Sequence, residues 1–170
     1  MSSATTMQRG LALAFGLTLA LATAPAAQAQ PAAAPSAAEQ ATILRAAGFV
    51  QRGGAWVGCE GQSRASIEPG DVRDINGDGL PEAFVTDGGT ACYGMTGQGF
   101  VLLTRGQNGQ WRKVFESPGI PTVMTTSANG WPDLQVGGPG FCHPVYRWNG
   151  RTYQQNRFVE EQRGACARRR

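Results

Sequence analysis

The hydrophobic positions of this 170-residue chain fall into three textures. Residues 11–24 form one nearly unbroken apolar run. Residues 37–47 put Ile43, Leu44 and Ala47 on a common face at helical spacing. Everything after Gly48 breaks into short apolar or alternating runs between glycine turns. Ser36 is a good N-cap, Glu39 completes a capping box, and Gly48 is the expected stop, so the pattern predicts a helix over 37–47. Short runs with β character predict strands at 49–52, 55–57, 83–86, 100–104, 110–115, 122–126, 134–136, 144–148 and 152–155. Gly53-Gly54, Asn108-Gly109 and Asn149-Gly150 are hairpin signals. No helical pattern recurs between the strands. That argues against a parallel sheet and predicts a mainly β fold, an antiparallel sheet or sandwich under one N-terminal helix.

The pattern also echoes itself. Gly79-Leu80-Pro81-Glu82-Ala83-Phe84-Val85 matches Gly130-Trp131-Pro132-Asp133-Leu134-Gln135-Val136 at an offset of 51. Each copy runs through Gly-Gly to a cysteine, Cys92 or Cys142, and on to a strand and an Asn-Gly hairpin. Two related β units of about 50 residues, each like a propeller blade, are the expectation.

Composition narrows the class. A charged fraction of 16% and a hydrophobic fraction of 41% fit neither a disordered chain nor a multi-span membrane protein, and 24 glycines fit a turn-rich β domain. Arg9, the run 11–24 and Ala27-Gln28-Ala29 read as an export signal over 1–29, with an apolar run shorter than the roughly 20 residues of a membrane span. Residues 30–36 read as a disordered Pro/Ala linker, 37–166 as one β domain and 167–170 as a basic tail. The net charge is only +3, and Arg168, Arg169 and Arg170 are too few for a nucleic-acid footprint. The expected product is a periplasmic or secreted protein with no nucleic-acid partner and no membrane span in its mature part.

Cys59, Cys92, Cys142 and Cys166 are even in number in an exported chain, which predicts two disulfides, and three pairings are open. The equivalent places of Cys92 and Cys142 in the echo favour joining those two, leaving Cys59 with Cys166.

One segment carries a chemical motif: Asp74-Ile75-Asn76-Gly77-Asp78-Gly79-Leu80-Pro81-Glu82. Side-chain oxygens fall at positions 1, 3, 5 and 9, Leu80 can offer its carbonyl, and Gly77 and Gly79 permit tight turns. Ca²⁺ takes six to eight oxygens at about 2.3–2.6 Å, so this alternation suits it. The same residue types also build a plain Asx turn. It is not an EF-hand loop, because position 12 is Val85 and the flanks read as strands. The second copy, 128–133, lacks the first carboxylates and reads as an empty turn. The motif resembles the calcium loop of FG-GAP and VCBS-type repeats, which sits between strands of a propeller blade. The resemblance implies Asp74, Asn76, Asp78, Leu80 and Glu82 as ligands of a structural Ca²⁺, although the family usually places aspartate where Glu82 stands. The span 71–153 also resembles small exported bacterial proteins of no assigned activity.

Other constellations are thin. The lone histidine, His143, has no adjacent nucleophile if Cys142 is bridged, and no G-x-S-x-G elbow is present. Asp87, Glu116 and Asp133 are the carboxylates available to a small hydrolase of the cell envelope, the rival to a non-enzymatic module. Tyr93, Trp131 and His143 form the candidate ligand surface, facing a protein or glycan of the cell envelope. Most aromatics are expected in the core, with Trp131 the best candidate for exposure.

Overall fold

A computed structural model describes residues 34–167; the export signal read at 1–29, most of the linker and the last three arginines lie outside the described residues. Helix α1 runs from Ala37 to Ala47, where its caps place it. The Ser36 hydroxyl accepts the Glu39 N–H at 3.2 Å, and Gly48 closes the helix in the left-handed conformation at φ 102°. The strands that follow are β1 (Val50–Arg52), β2 (Ala55–Val57), β3 (Arg64–Ser66), β4 (Val72–Arg73), β5 (Glu82–Gly88), β6 (Gln98–Arg105), β7 (Trp111–Pro118), β8 (Ile120–Ala128), β9 (Trp131–Gly137), β10 (Cys142–Trp148) and β11 (Tyr153–Glu160). A short helix, α2 (Thr90–Tyr93), interrupts the glycine-rich stretch after β5.

All sheets are antiparallel and the architecture is sandwich-like. Strands β3, β5, β6 and β7 form a central sheet, with β4 added against β5. Strands β11, β10, β9 and β8 form a second sheet, and β1 and β2 make a separate hairpin. The central sheet is covered on both faces. Ala83, Val85, Val101 and Leu103 meet Ile43, Leu44 and Ala47 of α1 on one side. Phe84, Phe100 and Leu102 meet Leu134, Val136, Trp148 and Tyr153 of the second sheet on the other. Alternation along β5 and β6 feeds the two layers in turn, so both strands read as continuous apolar runs.

The chain crosses between the sheets at one residue, Gly119, between β7 and β8. Its φ is 126°, and a β-carbon there would stand 2.6 Å from the Gly137 carbonyl oxygen and overlap the Val136 side chain. Gly119→Ala is therefore expected to cost about 2 kcal/mol, from backbone strain and overpacking together. Urea unfolding checks it; an unchanged midpoint would show that this crossover tolerates a side chain.

Two strand pairs fall at the same offset in the chain. Val72 pairs with Ala83, and Val123 pairs with Leu134, each residue moved by 51. The first pair flanks the 74–82 loop. The second leads to a two-residue turn, Asn129-Gly130, with φ of 50° and 80°, as its Asn-Gly chemistry favours.

The disulfides correct the expected pairing. Cys59 is bonded to Cys92, and Cys142 to Cys166, with Cα separations of 6.2 and 5.1 Å. Cys92 lies on α2 beside the central sheet, whereas Cys142 opens β10 of the second sheet. Stacked sheets stand about 10 Å apart, beyond the span of one disulfide. Equivalence in sequence thus puts the two sulfurs in different layers, and each bridge closes locally. Two disulfides fit an oxidising compartment. No helix among the described residues is long and apolar enough to cross a membrane.

Candidate functional site

The 74–82 loop hangs between β4 and β5 and is organised by its own side chains. Asp74 is its hub: Oδ1 accepts the N–H groups of Asn76 and Gly77 at 3.1 and 2.7 Å, and Oδ2 accepts that of Gly79 at 2.9 Å. The Gly79 N–H is the main reason the Asp74 carboxyl is held below the usual range, and the other N–H groups add to it. Asn76 Oδ1 accepts the Asp78 N–H at 2.9 Å, and Asp78 Oδ1 accepts the Leu80 N–H at 2.8 Å. Glu82 closes the loop from the start of β5. It is fully buried, taking the Thr104 hydroxyl at 2.7 Å and the Ile75 N–H at 3.1 Å. Burial pushes its carboxyl above the usual range; the Thr104 and Ile75 donors oppose this, and the Asp78 and Asp74 charges reinforce it.

The donor set suits a hard cation. The Asn76 amide nitrogen stands 3.3 Å from Asp78 Oδ2 and 3.2 Å from Glu82 Oε1, so these oxygens already converge on one shared neighbour. A carboxylate oxygen that accepts one N–H keeps a second lone pair. As the side chains stand, many of their oxygens face the loop's own donors. Among the described residues no three His, Cys, Asp or Glu side chains are gathered as a metal centre.

Asp133 holds the place in the second copy that Glu82 holds in the first, and it too is fully buried. Its neighbours differ. Arg147 donates from Nε to Oδ1 at 2.9 Å and from Nη2 to Oδ2 at 2.8 Å; Arg157 donates to Oδ2 at 2.8 Å, and the Thr126 hydroxyl donates to the same Oδ2 at 2.6 Å. The Arg147 hydrogen bond is the largest cause holding this carboxyl well below the usual range. Two guanidinium groups therefore balance the buried charge of the second copy. In the first copy, no ion pair reaches Asp74, Asp78 or Glu82 among the described residues.

The three residues expected to form one ligand surface are separated. Trp131 begins β9 and His143 lies near the start of the antiparallel β10, at opposite ends of the second sheet. By register they are about six residues apart along the strands, roughly 20 Å. His143 is buried, with Nε2 3.2 Å from Glu161 Oε1 but out of line for a hydrogen bond. Tyr93 is half-buried against Gly99, also away from Trp131, and donates its hydroxyl to Asp87 at 2.7 Å. Burial is the first cause raising the Tyr93 phenol, and the Asp87 carboxylate adds to it.

Nor are the three spare carboxylates gathered. Asp87 is buried on β5 with Ser63 and Tyr93, Glu116 is exposed and paired with Lys113, and Asp133 lies under its arginines.

Trp131 instead borders a cleft of about 560 Å³ where the β6–β7 hairpin meets the 74–82 loop and the ends of β9 and β10. Among its other lining residues, sequence reasoning missed Asn108, Gln110 and Arg112. The Asn108-Gly109 turn signal located the hairpin, but no local pattern says which residues it faces. The chain matches no protein-family model, no curated protein and no solved structure.

Proposed function

We propose that this chain is an exported, non-enzymatic β module that holds one structural Ca²⁺ through Asp74, Asn76, Asp78, Glu82 and the Leu80 carbonyl, and binds a glycan or protein of the cell envelope. The contrast between two buried carboxylates carries this reading. Asp133 is paired with two arginines, while Glu82, at the matching place, has two further acids near it and no ion pair among the described residues. A bound cation would supply there the charge that guanidinium groups supply to Asp133. The recurrence of the Val72–Ala83 pairing as Val123–Leu134 supports descent of both units from one blade-like meander, with the ion site kept in one copy. The resemblance of the loop to FG-GAP and VCBS-type repeats points the same way.

Thermal melts of the protein in EDTA and in calcium test the ion. An ion that binds only the folded form at 100 times its dissociation constant adds about 2.7 kcal/mol, roughly 10 °C in the midpoint for a domain of this size. Asp78→Ala is expected to abolish the shift. Equal midpoints in both solutions would reduce the segment to a plain Asx-stabilised turn.

A further inference from the structure

We propose that the cleft beside Trp131 is a saccharide site whose ligand is a short, uncharged pyranose oligomer. The inference rests on the binding-module reading above and names its ligand class. At about 560 Å³ the cleft is within the size range of small-molecule sites, roughly 300–1,000 Å³.

Its floor is aromatic and rigid. Trp131 stacks on Trp148 with ring centroids 4.8 Å apart and planes 27° from parallel, and Tyr153 meets both edge-on at 6.2 and 5.4 Å. The Tyr153 hydroxyl is anchored to the Pro132 carbonyl at 2.8 Å. Trp148 is buried while Trp131 stays half-buried, so the inner ring braces the outer one. The face of an indole is electron-rich and attracts the weakly positive C–H bonds along the flat side of a sugar ring. A platform fixed before binding loses little entropy when the ligand arrives.

The walls select for hydroxyl groups. Asn108 and Gln110 are exposed amides that can donate and accept together, and Arg112 offers a planar fork to adjacent hydroxyls. Charge does not favour an ionic ligand. Arg112 faces the cleft opposite in sign to Asp78, and Arg105 is already turned to Glu39 at 3.5 Å. A polyanion would need an unbalanced basic wall. A purely apolar ligand would leave the amides and the guanidinium without partners. Asp78 belongs both to the cleft and to the 74–82 loop, so an ion that fixes the loop also fixes one lip of the site.

Intrinsic tryptophan fluorescence, followed by calorimetry, tests this on the full exported protein with calcium present. The probes are tetrasaccharides of glucose, mannose and N-acetylglucosamine, with AMP as the competing flat ligand. Saturable binding of at least one tetrasaccharide is expected, weakened at least tenfold by Trp131→Ala. Because Trp131 also touches the core, Gln110→Ala combined with Arg112→Ala provides a second variant confined to exposed side chains, and it too is expected to weaken binding tenfold. Trp56→Phe, on the far side of the central sheet, is expected to bind as the parent does. No saturable binding by any tetrasaccharide, binding of AMP alone, or binding that both cleft variants preserve would overturn the proposal. The EDTA melt separates the two readings. Sugar binding with no calcium shift removes the ion and keeps the saccharide site; a calcium shift with no sugar binding does the reverse.

Discussion

Asp133→Ala is expected to lower the stability of this protein by about 3 kcal/mol, near the low end of the range for removing one partner of a buried ion pair. The carboxylate is fully buried and takes four hydrogen bonds, three from arginines and one from Thr126. It ties together β8, β9, β10 and β11, every strand of the second sheet. Its loss leaves two guanidinium groups facing each other across an emptied site. The arginine side chains are 39% and 34% exposed, so water can partly rescue them, which keeps the cost from rising further. The same network predicts an acid response. A carboxyl whose folded pKa is depressed stabilises the fold fully above its unfolded value, about 3.9, and loses that contribution as pH falls toward the folded value. The stability gap between the parent and Asp133→Asn is expected to stay level between pH 7 and pH 5 and to narrow below about pH 4. Urea titrations across that range measure it. A gap that widened in acid would mean the arginines are not what holds the charge.

Removing the Cys59–Cys92 bridge is the second large effect. It closes 33 residues, from the turn before β3 to the helix after β5. Restricting an unfolded loop of that length is worth about 3–4 kcal/mol in the chain-entropy account. The bridge also sits above a buried polar cluster in which Asp87 Oδ2 receives both Ser63 and Tyr93. Gly58, next to Cys59, lies so close that a β-carbon there would stand 3.1 Å from that same oxygen. The double variant Cys59→Ser with Cys92→Ser is expected to unfold at markedly lower urea and to lose protection of the β3 and β5 amides in hydrogen exchange. Peptide mapping of the non-reduced protein should recover Cys59 with Cys92 and Cys142 with Cys166. Recovery of Cys92 joined to Cys142 would contradict the layer assignment of both sheets.

Much of the local structure was legible in the chain. Ser36 and Gly48 set both ends of α1, because capping is decided within one turn. Gly53-Gly54 and the Asn-Gly pairs marked hairpins, since a tight turn must be solved by its own residues. Strands β3 and β4 were not legible. They are three and two residues long and exist only because β5 offers them an edge. The repeat at offset 51 was legible, yet it misdirected the disulfides, because similarity along the chain does not state which layer a unit occupies.

The sequence alone determined where the chain turns, which runs are apolar and where oxygen donors alternate, because these depend on neighbours within a few residues. The tertiary structure alone decided that Asp133 meets Arg147 and Arg157, that Trp131 lies on Trp148, that Trp131 and His143 part company, and that each cysteine finds its partner within its own layer. Those contacts join residues 14 to 33 positions apart. They follow from how two twisted sheets and a helix stack to bury their apolar faces, and no local pattern encodes that stacking.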